Sequence, residues 1–363
     1  VEEGNIRLKQ NGTRITGWGN GTYQTIVDPQ DGRPVFGLDT ELRHVTIANI
    51  RIEGGSKSGP AIDTRTPGPP GASLWEVRRC LVDAGPIIML GPRNQLRHVT
   101  VNARHDTPFS WLPGADYKTK AALIVNGATY GIMGGSYSNK NDGVEAVFCS
   151  GAAGTITGGT TISNAGGGKD GTKRDLTLVG AARTLIGPCS FESSKEYNMQ
   201  WGLAPSDAGL KNAVITASGF NPLGGDHKDA GFSKIRCEGG ASRNVTMISP
   251  HGNIKFDLCT ESHPNVHATV YSSHKVVSEG NRPMFINHVK QGVRGNRLLG
   301  GDRDSPSTAV GFQIHSSKPK FPEDGVMAIA DGTNWDIQGN GNAAKVIYNG
   351  EEWIVDTDLG RSL

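Results

Sequence analysis

Pairs of carboxylates recur in short polar segments of this chain. Three segments hold two carboxylates within four residues of each other, namely Asp142 and Glu145 in NKNDGVEAVF, Glu192 and Glu196 in FESSKEYN, and Asp226 and Asp229 in GGDHKDAG. Hydrolysis of a glycosidic bond needs two carboxyl groups, about 5 Å apart in retaining enzymes and roughly 6.5–9.5 Å apart in inverting ones. One of the two must be kept protonated by its surroundings. The catalytic candidates for a hydrolase are therefore Asp142, Glu145, Glu192, Asp226 and Asp229.

The same segments carry groups suited to a second reaction, β-elimination on a uronate polymer. This reaction needs a base that takes the proton beside a carboxylate and a cation that neutralises that carboxylate; Lys, His or Tyr can act as base or acid once its pKa is shifted. His227 and Lys228 lie between two aspartates in DHKD, while Lys195, Tyr197 and His105 lie in other loops. Both reactions remain open, and hydrolysis is slightly favoured because the loop carboxylates outnumber the convincing bases. No metal or cofactor is expected for hydrolysis, and calcium enters only with a lyase.

Four long loops are predicted, residues 105–120, 164–175, 191–211 and 220–232, and tryptophans and tyrosines lie among the charged residues of the first and third. Rings can stack on the faces of sugars while charged side chains bond their hydroxyl groups. The candidates for substrate binding are Trp111, Tyr117, Tyr197, Trp201, Lys195 and Lys228. The alternative is that the rings anchor their loops on the body of the protein, and for Trp111 or Trp201 taken singly that alternative is the stronger one.

Composition excludes several classes of protein. Glycine makes up 51 of 363 residues without a G-X-Y period, which indicates many turns between short strands and excludes collagen. The net charge of +2 and the scattered basic residues argue against a nucleic-acid partner. No stretch approaches the roughly 18 apolar residues of a membrane span. The cysteines are far apart and lack a CxxC pair, which predicts buried single thiols and folding in a reducing cytoplasm: Cys80, Cys149, Cys189, Cys237 and Cys259.

A repeated phrase indicates the elements that must position these side chains. LRHVTIANIRIEGG (42–55), LWEVRRCLVDAG (74–85) and LRHVTVNARHD (96–106) share short runs in which apolar and polar residues alternate, bounded by Gly, Asn or Asp. Looser copies follow at spacings of about 22 to 33 residues, and the shortest spacing suits one coil of a parallel β-helix with three short strands. A β-sandwich is the second choice, because it does not explain so many phrases of coil length.

The alternation also predicts which side chains face the interior of such a coil. The expected interior positions are Val45, Ile47, Ile50, Ile52, Val99 and Val101. The first phrase changes register near Asn49. Asparagines at the turns, Asn49, Asn102 and Asn164, are expected to stack into hydrogen-bonded ladders that run along the helix.

Three parts of the chain carry a resemblance to a known group of proteins. They are the opening EGNIRLKQNGTRITGWGNGTYQTIV, the coil phrases from residue 42 to about 300, and the closing GVMAIADGTNWDIQGNGNAAKVIYNGEEW, residues 325–353. Together they resemble the pectate-lyase-like superfamily of right-handed parallel β-helices, and within it the bacteriophage tailspike depolymerases. No catalytic motif of that superfamily maps onto this chain.

The resemblance implies an all-β chain with long loops on one face of the helix. It implies a catalytic β-helix over residues 1–300, a linker over 301–324 and a C-terminal β-hairpin cap over 325–363. It further implies a polysaccharide partner, a homotrimer, and a place in a virion tail or outside the cell. These features predict an endolytic depolymerase of a bacterial or algal polysaccharide. The rival is a non-catalytic receptor-binding β-helix, which needs no convergent pair of carboxylates.

Overall fold

The structure is a computed structural model, and it describes 26 segments of the chain. They are residues 6–18, 25–27, 34–38, 40–53, 59–65, 72–105, 107–110, 116–140, 144–151, 153–164, 174–181, 183–192, 196–204, 210–216, 218–220, 233–238, 243–248, 254–258, 266–271, 276–279, 284–290, 293–299, 314–315, 318, 327–349 and 351–358.

All regular secondary structure in these segments is β-strand. In chain order the strands are β1 (Ile6–Leu8), β2 (Arg14–Thr16), β3 (Ile26–Val27), β4 (Phe36–Leu38), β5 (Leu42–Arg43), β6 (Thr46–Ala48), β7 (Arg51–Glu53), β8 (Ile62–Asp63), β9 (Ala72–Ser73), β10 (Glu76–Arg78), β11 (Leu81–Ala84), β12 (Ile87–Leu90), β13 (Asn94–Ala103), β14 (Phe109–Ser110), β15 (Lys118–Thr119), β16 (Leu123–Asn126), β17 (Thr129–Asn139), β18 (Glu145–Ser150), β19 (Ala153–Thr157), β20 (Thr160–Asn164), β21 (Arg174–Val179), β22 (Leu185–Ile186), β23 (Cys189–Glu192), β24 (Tyr197–Trp201), β25 (Lys211–Thr216), β26 (Gly219–Phe220), β27 (Ser233–Cys237), β28 (Arg243–Ile248), β29 (Ile254–Leu258), β30 (Val266–Tyr271), β31 (Val276–Glu279), β32 (Met284–Lys290), β33 (Val293–Leu299), β34 (Ile314–His315), β35 (Met327–Ala330), β36 (Ala344–Tyr348) and β37 (Trp353–Asp358). No helix that could cross a membrane occurs in the part of the chain that the structure describes.

Two long sheets contain most of these strands. Sheet A has eleven strands in the order β1-β4-β8-β12-β16-β18-β21-β24-β27-β29-β31, and every neighbouring pair is parallel. Sheet B has eighteen strands, and all of them except β33 form two parallel ladders that join in the long strands β13 and β17. The chain visits one strand of sheet A, then one or two of sheet B, and returns to sheet A one rung further on. This architecture is all-β with stacked parallel sheets and is compatible with a parallel β-helix.

The interior of this stack is one column of apolar side chains. On sheet A the buried residues of successive rungs are Ile62, Ile87, Leu123, Val147, Leu176, Met199, Ile235 and Phe256. Full burial of each such side chain is worth about 1.5–3 kcal/mol. Val147 follows its rung partner Leu123 by 24 residues, and Leu176 follows Val147 by 29, within the coil spacing that the phrases predict.

The interior positions predicted from the alternation are confirmed. Val45, Ile47, Ile50, Ile52, Val99 and Val101 are all buried in the column. Ile47 and Ile50 both face inward although they are three residues apart, because Asn49 between them adopts a positive φ of 58° and reverses the alternation. Arg79 and His98 turn the same corner in the next coils, with φ values of 49° and 52°.

The asparagine ladder is shorter than the sequence suggests. Asn164 stacks on Asn139 in adjacent rungs of sheet B. The Nδ2 atom of each donates to carbonyl oxygens across the turn at 2.9–3.2 Å. The prediction is wrong for Asn49 and Asn102. Asn49 has a positive φ and lies at the bend between two strands, and Asn102 donates to Asp83 Oδ1 at 2.7 Å.

The cysteine prediction holds within the described residues. Four thiols are free and buried: Cys80, Cys149, Cys189 and Cys237. Burial raises the pKa of Cys149 to about 12, so this thiol stays protonated and unreactive at neutral pH. Cys259 lies outside the described residues.

The last strands form structures of a different kind. β32 and β33 make an antiparallel pair at the end of sheet B. A separate four-stranded sheet has the order β34-β35-β36-β37, with a small core that includes Trp335 and Trp353. β34 lies inside residues 301–324, the segment predicted as a linker, and pairs in parallel with β35. β36 and β37 form the hairpin suggested by the closing sequence, while its capping of the stack and the domain limits stay predictions.

Candidate functional site

One row of side chains on the outside of sheet A changes from apolar to polar along the stack. On successive rungs the row consists of Asp63, Ile88, Ile124, Phe148, Thr177, Gln200, Arg236 and Asp257. A second outer row, three residues earlier in each strand, consists of Glu145, Arg174 and Tyr197. We use the term polar face for Glu145, Arg174, Thr177, Tyr197, Gln200, Arg236 and Asp257.

The apolar part of the outer row is covered by the predicted loop 105–120. Its short strands β14 and β15 pair antiparallel, and Phe109 and Tyr117 pack on a buried cluster outside sheet A that includes Ile124 and Phe148. The rings of Tyr117 and Phe148 stack with centroids 5.5 Å apart. The loop therefore ends where the polar face begins.

Glu145 lies at that boundary and is fully buried. Its carboxylate accepts the Tyr117 hydroxyl, with O–O distances of 3.1 and 2.9 Å to the two oxygens, and the Thr177 hydroxyl at 3.2 Å. Burial and the negative charge of Glu145 raise the pKa of Tyr117, and the positive charge of Arg174 opposes that shift. Tyr117 therefore remains a phenol that donates to Glu145, which anchors the loop to sheet A.

Arg174 occupies the rung between Glu145 and Tyr197. Its side chain is 7% exposed, and its Nε and Nη1 atoms are buried without a hydrogen-bond partner. Its backbone is held from both directions, since its N–H donates to Val144 O at 2.8 Å and its carbonyl accepts Asn164 Nδ2 at 2.9 Å. The sequence analysis missed Arg174; aligning the starts of β18 and β21 would have placed it opposite Glu145.

Tyr197 lies on the next rung and is the centre of a polar network. Its hydroxyl donates to Asp257 Oδ2 at 2.8 Å and accepts Arg236 Nη1 at 3.1 Å. Lys234 Nζ and the Arg236 guanidinium lie 5.0 and 5.3 Å from the ring centroid, and Arg236 also forms an ion pair with Glu238. Burial, followed by the hydrogen bond to Asp257 and its charge, raises the pKa of Tyr197 to about 12 against the opposing effect of Arg236.

Asp175 is a second buried carboxyl group that the sequence analysis missed. It follows Arg174 in β21 and is fully buried. Its Oδ1 atom accepts the Asn164 N–H at 2.9 Å, and its Oδ2 atom accepts Asn198 Nδ2 at 3.0 Å. Burial raises its pKa well above the ordinary value, and the charge of Glu192 adds to that shift. Asp175 therefore ties the asparagine ladder to the strands of the polar face.

Glu192 lies beside the polar face rather than on it. It ends β23 of sheet B and accepts the Ser190 hydroxyl at 2.7 Å. The coil that contains Glu192 continues into β24, which is two rungs from β18 and Glu145. Two rungs correspond to about 10 Å along the stack.

Two of the predicted loop residues have other positions than the sequence suggests. Trp201 is not a substrate-binding residue, because it is fully buried in the interior column, where it packs edge-on to Phe256. His105, a candidate base, is buried beneath the loop, with ring nitrogens 2.9 Å from Thr107 O and 3.4 Å from Ala121 O. Those carbonyl contacts use both ring nitrogens, which gives His105 a structural role.

The remaining candidates fall in segments that the structure does not describe. They are Asp142, Asp226, His227, Asp229, Trp111, Lys195 and Lys228, and their roles stay predictions. Within the described segments no group of three or more His, Cys, Asp or Glu residues could hold a metal ion. The chain matches no protein-family model, no curated protein and no solved structure.

Proposed function

We propose that this chain is a polysaccharide depolymerase that cleaves a uronate-containing polymer by β-elimination on the polar face, within a right-handed parallel β-helix of the pectate-lyase-like kind. The observation that carries the proposal is the Tyr197 hydroxyl held between Arg236 and Asp257. A tyrosine, a cation and a carboxylate in contact supply the groups that β-elimination needs.

The network gives each group a role in the reaction. The positive charges of Arg236 and Lys234 beside the ring neutralise the uronate carboxylate, which acidifies the adjacent C–H bond. Because Tyr197 is a phenol at neutral pH, its oxygen can take that proton only while its own proton passes to Asp257. The electron pair of the C–H bond forms a carbon–carbon double bond, the glycosidic C–O bond breaks, and the leaving oxygen takes a proton from water.

The Tyr197 hydroxyl also keeps hydrogen-bonding capacity for a substrate. A phenol oxygen has one donor and two acceptor positions. The donor is used by Asp257 and one acceptor by Arg236, so one acceptor position remains for a substrate proton. The strand pairing of β24, β27 and β29 fixes all three residues on successive rungs, which keeps the network preorganised.

Inverting hydrolysis by Glu145 and Glu192 is the second candidate, and it corresponds to the chemistry that the sequence slightly favours. The separation of about two rungs, near 10 Å, is close to the upper limit for an inverting pair. Against it, both oxygens of Glu145 already accept hydroxyl donors from Tyr117 and Thr177, so this fully buried carboxyl group is held by the protein itself.

The test is digestion of a panel of acidic and neutral polysaccharides, followed by both ultraviolet absorbance of unsaturated sugar ends and a reducing-end assay. A lyase raises both signals, whereas a hydrolase raises reducing ends alone. Tyr197→Phe and Asp257→Asn should each lower the rate by roughly 100-fold or more, the usual contribution of a positioned acid–base group. Tyr348→Phe in the C-terminal sheet is the matched control and should keep full activity.

Each outcome of that test decides between the candidates. Reducing ends without absorbance, together with full activity of Tyr197→Phe, would replace the lyase with the hydrolase. Binding of a polymer without either signal would favour the non-catalytic receptor-binding protein.

A further inference from the structure

We propose that Arg174 forms a subsite for one carboxylate of an acidic sugar, on the polar face between Glu145 and Tyr197. The inference deepens the proposed function and rests on it for the location of the polymer. It concerns binding rather than cleavage, because Arg174 has no contact with the Tyr197 hydroxyl network among the described residues.

The first argument is the cost of leaving this guanidinium as it is. Arg174 is 7% exposed, and two of its three side-chain nitrogens are buried without any acceptor. A buried charge without hydrogen bonds is strongly unfavourable, and proteins ordinarily pair such groups. An oxyanion from a ligand would supply the missing acceptors.

The second argument is that the nearest carboxylate is already occupied. Glu145 lies on the adjacent rung, but its oxygens accept the hydroxyl groups of Tyr117 and Thr177. Both donors are fixed, Tyr117 by its stacking on Phe148 and Thr177 by its place in β21. Among the described residues no ion pair joins Glu145 to Arg174, so the buried guanidinium nitrogens of Arg174 keep no acceptor.

The third argument concerns the kind of ligand. The guanidinium fork is planar and matches a carboxylate in two parallel hydrogen bonds. On the same face, the hydroxyl of Tyr197 one rung away and the carboxylate of Asp257 three rungs away offer partners for sugar hydroxyl groups. A uronic acid carries both kinds of group, whereas a neutral sugar lacks the carboxylate. A sulfated sugar shares the oxyanion chemistry but has tetrahedral geometry.

The experiment is calorimetric titration of the full chain with D-glucuronate and D-galacturonate, with glucose as the neutral arm and glucose 6-sulfate as the sulfate arm. The wild-type chain should bind at least one uronate and should bind glucose at least tenfold more weakly. Arg174→Gln should weaken uronate binding at least tenfold. Arg174→Lys, which keeps the charge but loses the fork, should weaken it several-fold. Arg97→Gln, at an exposed arginine of sheet B, should leave binding unchanged.

The melting temperature separates a binding role from a structural one. Because Nε and Nη1 of Arg174 make no hydrogen bonds, Arg174→Gln should melt within a few degrees of the wild type. A large fall in that temperature would assign Arg174 to the folding core and overturn the subsite. Arg174→Lys supplies the binding comparison if the glutamine variant does not fold.

The calorimetric titration tests the Arg174 subsite and the digestion tests the lyase activity, so a negative result in one does not decide the other. Uronate binding that depends on Arg174 in a protein that cleaves nothing would keep the subsite and refute the lyase. Equal uronate binding by the wild type and Arg174→Gln, or no uronate binding at all, would refute the subsite even if cleavage is observed. Stronger binding of glucose 6-sulfate than of either uronate would replace the carboxylate with a sulfate.

Discussion

The contact between Tyr117 and Glu145 is expected to hold the loop 105–120 on sheet A, and Tyr117→Phe tests this directly. The substitution keeps the ring that stacks on Phe148 and removes only the hydroxyl. That hydroxyl shares one proton between the two oxygens of Glu145, so one hydrogen bond to a charged group is lost. Such a bond is worth about 1.5–3 kcal/mol. Glu145 is fully buried, and among the described residues it keeps only the Thr177 hydroxyl as a side-chain donor, so water cannot readily replace the loss.

We therefore expect Tyr117→Phe to lower the free energy of unfolding by about 2 kcal/mol. Urea denaturation measures that change, and Tyr348→Phe is the control because its hydroxyl bonds only the exposed Glu351 carbonyl. Stacked repeats can open locally, so amide hydrogen exchange in residues 107–110 and 116–121 provides a second readout. Exchange there should accelerate in Tyr117→Phe.

A double-mutant cycle tests whether the lost stability comes from the contact between Tyr117 and Glu145. Glu145→Gln and Tyr117→Phe should couple by about 1 kcal/mol or more, as contacting residues in one network do. The reasoning fails if Tyr117→Phe costs no more than Tyr348→Phe, or if hydrogen exchange in the loop does not change.

Two further predictions concern buried side chains. Burial raises the pKa of Asp175 in the folded chain above the ordinary pKa of 3.8. Its contribution to the free energy of unfolding is therefore complete below pH 3.8. That contribution is lost as pH rises toward the folded-state pKa, because the unfolded chain releases its proton first. Asp175→Asn should therefore flatten the decline in the free energy of unfolding above that pH, and an unchanged slope in urea titrations at several pH values would refute the assignment. Trp201→Ala should lower the free energy of unfolding by about 3–5 kcal/mol, the usual cost of truncating a core tryptophan. If Trp201→Ala folds with unchanged stability and loses only polysaccharide binding, Trp201 is a substrate-binding residue at the surface and not a core residue.

Much of the fold could be predicted from the sequence because its causes are local. Alternation of apolar and polar residues places Val45, Ile47, Val99 and Val101 in the interior. Even the change of register at Asn49 is visible in the sequence, since two apolar runs of opposite phase meet there. Asparagine tolerates the left-handed conformation that this corner requires.

The candidate site was predicted only in part, because local patterns do not show which loops converge. The predicted residues included Glu145, Tyr117 and Tyr197. In the structure Tyr117 donates to Glu145, and Tyr197 donates to Asp257 in the network of the polar face. Arg174 and Arg236 were missed because a single arginine in a strand carries no signal by itself. Their importance arises from neighbours 29 and 39 residues away, namely Glu145 for Arg174 and Tyr197 for Arg236.

Tyr197 and Trp201 show where sequence reasoning stops. They belong to one strand and are separated by an even number of residues, so strict alternation would turn both to the same side. The pairing of β21 with β24 keeps a constant offset of 23 residues, yet Trp201 is in the interior while Tyr197 contacts the outer Arg236. The sequence by itself determined the strands, their spacing and the apolar column, because those follow from local alternation. Only the tertiary structure decided which aromatic and charged side chains contact one another, because those contacts join residues on neighbouring strands that are far apart in the sequence.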